Sequence, residues 1–489
     1  QRRAYEFFVN PLGVQMDLIQ DDIAGSEDDS WNAIWDSAGV ITKTGYVVEF
    51  SIPFTQIRFQ DSEGVQTWGL DAVRIHPRAD RTLIALNKRD RSKNSYLSQL
   101  MKIQGFERVE RGKNIEIVPT ITAQRTDSRE DIPGGEMEDD SEGDLGLTAR
   151  WGITPNITLN GTLNPDFSQV EADSVRLDIN ETFTIFFPET RPFFLDGADY
   201  FDTPMINLLH TRTVVDPDYA VKTTGKQGRH TFGVFTARDT QTSVILPGSQ
   251  SSDGESFDFQ TDDTVARYRM DFGGNSTLGG MLTDRRGNGY NSTTVNVDSR
   301  YRLTDNDQFI VNFAGSTTHY NDEMINYFEL DDSEFSGHAL SAYYEHSNRS
   351  GWFDVHYEDF GEGFRADLGF VPKVDYRAAF IGGGRHWWGD SSDFFRRLTV
   401  QGEIDQTEDQ DGSMIEREAE IYLQGQGPMQ SWFLFGGGGR QRVFDDVRFE
   451  VSPNRVAFEV DSADMMHNSW TEYEMGNMGH RPRIKGGYF

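Results

Sequence analysis

From Lys113 onward, apolar and polar residues alternate along the chain with a period of two. Val295, Val297, Tyr301 and Leu303 fall on one side and Asn296, Asp298, Arg300 and Arg302 on the other, with Ser299 alone interrupting the apolar side. A turn at "TDND" (304–307) follows, after which Phe309, Val311 and Phe313 resume the pattern. The same period recurs at Ile115, Ile117, Ile121 and Ala123, at Leu145, Leu147, Ala149 and Trp151, and at Ile157, Leu159, Gly161 and Leu163. It returns at Phe353, Val355 and Tyr357, at Leu398, Val400, Gly402 and Ile404, and at Ala419, Ile421 and Leu423. Successive side chains of a β-strand point to opposite faces, so this spacing predicts strands with one apolar and one polar face. Residues 1–112 keep a shorter rhythm, "YEFFVN", "GYVVEFSIPF" and "TWGLDAVRIH" between acidic or Gly-containing turns, which predicts a β-sandwich.

The connectors differ in kind. "GITPN" (152–156), "TDND" (304–307) and "NRSG" (348–351) are tight turns, whereas 124–144, 316–337 and 405–416 are long, acidic and poor in apolar residues. Short turns at one end of the strands and long loops at the other are expected of a transmembrane barrel, whose two rims face different compartments. The alternative is a large soluble antiparallel sheet with one wet face, which at this length would curl or split into layers. The expected fold is therefore all-β: a partial N-terminal sandwich over 1–112, then a large antiparallel transmembrane β-barrel over 113–489. At about ten residues per tilted strand plus a connector, the barrel would hold roughly 14–18 strands.

Charge and composition narrow the partners. With 46 basic against 79 acidic residues among 489, the net charge is −33, which argues against nucleic acid, since phosphate binding needs a basic face. The chain has no cysteine, so disulfides, thiol catalysis and thiolate metal sites are excluded together. No apolar run approaches the length of a membrane-crossing helix, but barrel strands need no such run. Among the ten histidines there is no HExxH pattern, and neither GxSxG nor GxxxxGK[ST] occurs, so no catalytic centre is expected.

One stretch breaks the alternation. "NPDFSQVEAD" (164–173) is followed by "IFFPETRPFFLDG" (185–197), after the strand at 157–163 has run from a tight turn toward the other rim. Asn164, Asp166, Glu171, Asp173, Glu189, Arg191 and Asp196 supply hydrogen bonds and ion pairs. Phe186, Phe187, Phe193 and Phe194 form an apolar wedge, and Pro188 and Pro192 keep that wedge out of a strand. The segment 164–205 is expected to fold into the lumen and to narrow or plug it; a lid that only braces the wall is the alternative.

The same stretch carries a resemblance. Together with "FFVNPLGVQMDL" (7–18), "WNAIWDSAGV…GYVVEFSIPFTQIRF" (31–59), "WGLDAVRIHPR" (68–78), "LTARWGITPNITLNGTLNPDFSQVEAD" (147–173), "FFPETRPFFLDGADYF" (186–201) and "GFRADLGFVPKVDYR" (363–377), it resembles a family of unknown function. Its members are similar to family 9 carbohydrate-binding modules at the N-terminus and continue as an outer-membrane β-barrel. The resemblance implies a periplasmic sugar-binding-like domain that is N-terminally truncated here, and a barrel that continues beyond Phe489, since Pro482, Arg483 and Lys485 break the alternation at the end.

Two further site readings follow. Trp31, Trp35 and Trp68, with Asp36 and Arg74, are the residue types that stack on and hydrogen-bond a pyranose; as core anchors of a small sandwich they would have no ligand. Asp409, Asp411 and Glu418 fit part of a calcium-loop spacing in "TEDQDGSMIERE" (407–418), but Thr407 stands where the first Asp should be. An acidic, solvated loop is the plainer account; a divalent cation such as calcium would then be shared with lipopolysaccharide phosphates. Three functions remain open: binding or passage of a glycan or other solute across the outer membrane, a secreted carbohydrate-active hydrolase, and an anchor or scaffold holding protein partners in a surface complex.

Overall fold

The computed structural model describes residues 3–459 except for short breaks, the longest at 107–114, 130–136 and 166–181, together with 473–474. Eighteen strands form one antiparallel sheet in chain order, from Ile115–Arg129 to Tyr473–Glu474. The hairpin Thr242–Pro247 and Ser252–Phe257 forms a separate ladder at one rim. The fold is thus all-β with a large antiparallel sheet. Among the described residues Ile115–Arg129 pairs only with Met137–Thr154, so no ladder closes the sheet there.

The strand Tyr290–Arg302 shows how the pattern is realised. Its outward side chains Val295 and Val297 are 55% and 54% exposed, while Asn296 and Asp298 beside them are each 2% exposed. The apolar face is outside and the polar face inside, the reverse of a soluble sheet. Buried polar groups must find partners, and these do so across the interior. Arg267 grips Asp298 through two bonds of 2.5 and 2.9 Å, and Asn296 donates to Asn312 and to Phe313 O. Gly279 makes room for the Arg267 fork, since a Cβ there would stand 2.6 Å from its Nη1.

The rims sort largely as expected, with the two-residue turn 288–289 as an exception at the rim of long connections and with two corrections. Tight connections at 228–229, 303–306 and 349–350 lie at one rim, while 164–216, 240–260, 320–333 and 361–375 connect strands at the other. Residues 124–144 are not a loop: the strands Ile115–Arg129 and Met137–Thr154 extend through most of them. Likewise 405–416 consists of two strand ends and a turn at 409–413, where Asp409 Oδ1 accepts from Ser413 N at 2.7 Å. Acidic sequence marks contact with water, but a backbone ladder continues through it because pairing needs only N–H and C=O groups.

The N-terminal part forms four small antiparallel ladders. Arg3–Val9, Gln15–Asp21 and Ser26–Asp28 make one; Asp36–Ile41 pairs with Tyr46–Ser51, Gln66–Leu70 with Met101–Phe106, and Val73–His76 with Thr82–Ala85. Aromatic rings join them in two separate clusters. Tyr5, Phe7, Trp31, Trp35 and Phe50 make the first, and Phe54, Phe59, Trp68 and Phe106 the second.

Replacing Gly279 by Val should push the Arg267 guanidinium off Asp298 and leave a buried charge uncompensated, at a cost of about 3–5 kcal/mol. The denaturant midpoint of the folded, heat-modifiable band on a gel would measure it.

Candidate functional site

Residues 182–216 leave the rim of long connections and fold into the interior of the sheet. Pro188 and Pro192 bar the segment from strand pairing, and Pro192 instead starts the one-turn helix Pro192–Leu195. Gly197 then turns the chain at φ 72°, a left-handed conformation that favours glycine. Phe193 and Phe194 are buried in the main apolar cluster with Phe201, Leu208, Phe235 and Phe364. Lys222, pointing inward from the wall, donates to Phe193 O and Phe194 O at 2.5 and 3.2 Å. Asp196 takes Asn160 Nδ2 at 2.5 Å and lies 3.4 Å from Arg150.

The Glu189 and Arg191 pair fixes the upper part of the segment. Two bonds of 2.8 Å join guanidinium and carboxylate, and Arg191 also donates to Val214 O and Thr211 O. Burial would raise the Glu189 carboxyl, but the Arg191 bonds and charge and the Thr211 hydroxyl outweigh it and hold it at about 2. Arg191 also lies over the Phe194 ring, 4.2 Å from its centre, so the charged and apolar residues of "FFPETRPFF" form one packed unit.

A second connection, 361–375, meets the first inside the sheet. His210 N donates to Leu368 O at 2.7 Å and Phe370 N to Asn207 O at 2.9 Å. Gly369 permits this approach, since a Cβ there would stand 2.3 Å from Asn207 O. Phe186, His210 and Phe370 pack around the junction, Phe370 edge-on to both other rings. Two segments therefore share the interior where one was expected.

The first segment and the rim hairpin are tied to the wall by a group that sequence reasoning missed. Arg285 is completely buried. It holds Asp263 through bonds of 2.8 and 3.0 Å, lies 3.5 Å from Asp239, and donates to Thr213 O and Ser243 O. Asp239 in turn accepts from Val215 N and Asp216 N at 2.8 and 2.7 Å. Inward-facing charges near the ends of alternating strands were the signal available in sequence, but the partners of Arg285 lie 22 to 72 residues away.

The other expected residues fall as follows. Asp166, Glu171 and Asp173 lie outside the described residues. Asn164 donates from its side chain to Leu145 O at the rim, and Phe187 is half-buried beside the Glu189 unit. Trp35 is buried, stacked on Phe50; Trp31 is half-buried against Tyr5 and Phe7; Trp68 belongs to the second aromatic cluster. Asp36 is exposed, and Arg74 covers the Tyr46 ring. The structure does not bring these five together on one platform. The calcium spacing is not realised either. Asp409 closes a hairpin turn with Ser413, and Glu418, on the following strand, lies 3.8 Å from Arg440. Among the described residues no three acidic or histidine side chains gather as a metal would require.

Residues 117–231 match the family described as "Domain of unknown function (DUF5916)". This stretch spans the first strands of the sheet and the whole inward segment. Among solved structures, the chain is similar to Pseudomonas aeruginosa OccK5 (OpdH), with 11% identity, a TM-score of 0.33, and coverage of 73% of this chain and 88% of that one. A BenF-like porin from Pseudomonas fluorescens Pf-5 gives 10% identity and 0.31 over 89% and 94%. Similarity at this level transfers no function. Glutamine synthetase of Rhizobium meliloti (strain 1021) is 44% identical over 73 residues, 15% of either chain. The chain thus spans about 15% of the length of this curated relative, and that enzyme's activity does not follow from so short a share.

Acid should loosen the junction of the two inward segments. Burial first, then Arg212 and Arg191, lower His210 from an ordinary 6.5 to about 4, with Glu189 opposing. A lowered value favours the neutral ring in the folded state, so its contribution is fully present above 6.5 and is lost as pH falls through about 4. Amide exchange at 206–211 and 366–370, corrected for intrinsic rates, should rise between pH 6.5 and 4, and His210→Gln should flatten that dependence.

Proposed function

We propose that this chain is an outer-membrane β-barrel protein that binds or passes a solute through a lumen narrowed by residues 182–216 and 361–375. The inverted sheet carries the proposal: apolar side chains such as Val295, Val297, Ile381, Ile404 and Ile421 stand exposed on the outer face, while charged pairs are buried within. Water would favour the opposite arrangement; lipid outside and a polar interior favour this one. The rim of tight turns then faces the periplasm, and the long connections face outward.

The inward segments supply the narrowing, since the Phe193 and Phe194 wedge and the Glu189–Arg191 unit occupy the interior between opposite parts of the wall. A solute would pass beside them or after their displacement. A glycan is the solute class suggested by the similarity of residues 7–78 to sugar-binding modules, and lipopolysaccharide phosphates bridged by divalent cations are the partner suited to an acidic outer rim. The hydrolase reading rests on that same similarity.

Two measurements test this. In planar bilayers, a variant lacking 183–197 that still shows heat-modifiable mobility should conduct several times more than the intact chain; equal conductance from a folded deletion would leave the segment a brace. Val297→Arg should impair folding into lipid by about 2–4 kcal/mol if that face meets the bilayer midplane, whereas a water-facing site would tolerate it.

A further inference from the structure

Two ion-paired contacts join the N-terminal part to the large sheet and its inward segment, and both lie toward the same rim. Lys93 Nζ stands 3.7 Å from Asp305 Oδ2, and Asp305 belongs to the tight turn 303–306 on the rim that also holds 228–229 and 349–350. Arg3, the first residue of the strand Arg3–Val9, reaches the inward segment itself. Its Nη2 donates to Asp199 O at 3.0 Å and lies 3.7 Å from Asp202 Oδ2, and its Nη1 pairs with the Asp199 carboxylate.

Asp199 and Asp202 occupy the part of the segment that descends furthest from the outer rim. Asp202 O accepts from Arg267, halfway along Thr261–Phe272. Phe201 covers Gly233 near the tight-turn end of His230–Asp239. Pro204 O accepts from Asn312, midway along Asp307–His319. The upper legs of the segment are held by Arg285, Asp239 and the 361–375 connection, whereas the descending turn meets Arg3 from the opposite side. The guanidinium and the Asp199 side chain are each about one-fifth exposed, so the contact remains within reach of water and can be undone.

We infer that the N-terminal part is a latch on the constriction, seated at the tight-turn mouth, with Arg3 holding the turn at 196–206 in its blocking position. This rests on the reading of residues 182–216 as a constriction. Displacement of the N-terminal part, for example by a ligand that it binds, would withdraw Arg3, take from Asp199 the guanidinium that pairs with it, and free the turn to move.

The intact chain tests the latch through amide exchange at 196–206, a readout independent of passage. Arg3→Glu should speed that exchange roughly tenfold in a protein that keeps its heat-modifiable mobility, and adding Asp199→Arg should restore it. Because the chain has no cysteine, Arg3→Cys with Asp199→Cys presents two unique thiols, and joining them with a short bifunctional thiol reagent that spans the length of the lost arginine should return exchange to the intact level and hold conductance low. Unchanged exchange in Arg3→Glu, or no restoration by the charge swap, overturns the latch. Faster exchange and restoration without conductance in any variant would keep the latch and sink the passage reading instead.

Discussion

The buried grip of Arg285 on Asp263 and Asp239 is the interaction on which the interior arrangement depends. A guanidinium with no exposure is costly unless every donor is used and its charge is compensated. Here the two carboxylates supply the charge, and the remaining donors go to Thr213 O and Ser243 O. The same atoms that settle the arginine therefore hold the returning leg of the inward segment and the outer hairpin against the wall. Asp239 completes the clasp by taking two backbone N–H groups of that leg. Electrostatics inside the sheet thus do what an apolar core does in a soluble domain, and the Phe193 and Phe194 wedge packs within the frame they set.

This arrangement follows from the inversion of the two faces. When apolar side chains point outward, the interior is left to Thr, Asn, Arg and Asp, which must pair across strands or with whatever enters the space. The first inward segment meets that demand: its backbone carbonyls accept from Lys222, Arg267, Arg285 and Asn312 of the wall. A wall rich in donors and a loop rich in free carbonyls complement each other. Pro188 and Pro192 matter because they remove donors the loop does not need and prevent it from extending the sheet.

Much of the fold was legible. The period-two alternation located eight of the eighteen described strands of the large sheet, because the side-chain direction of a strand is fixed by its backbone, and "NPDFSQVEAD…FFPETRPFF" stood out as an interruption. The acidic stretches misled: 124–144 and 405–416 read as loops yet are largely strand, since polarity reports the surroundings of side chains and not the pairing of the backbone. The three tryptophans were recognisable as aromatic anchors, but their division into two clusters, with Trp35 on Phe50 and Trp68 among Phe54, Phe59 and Phe106, depended on which short ladders came together. The calcium spacing failed because Asp409 is spent on a hairpin turn and Glu418 faces Arg440.

The sequence by itself determined which residues face which side of the strands whose alternation it showed, that the strands form an antiparallel sheet with unlike rims, and that Glu189, Arg191 and the flanking phenylalanines belong to a segment outside it. These are local properties, set by a two-residue period, by proline and glycine, and by charge along a few neighbouring positions. Only the tertiary structure decided that a second connection, 361–375, shares the interior, that Arg285 ties Thr213, Ser243, Asp239 and Asp263 into one clasp, and that Arg3 meets Asp199. The partners in those contacts are separated by up to 196 residues, and the strand order that brings them together is a property of the whole sheet, not of any stretch within it.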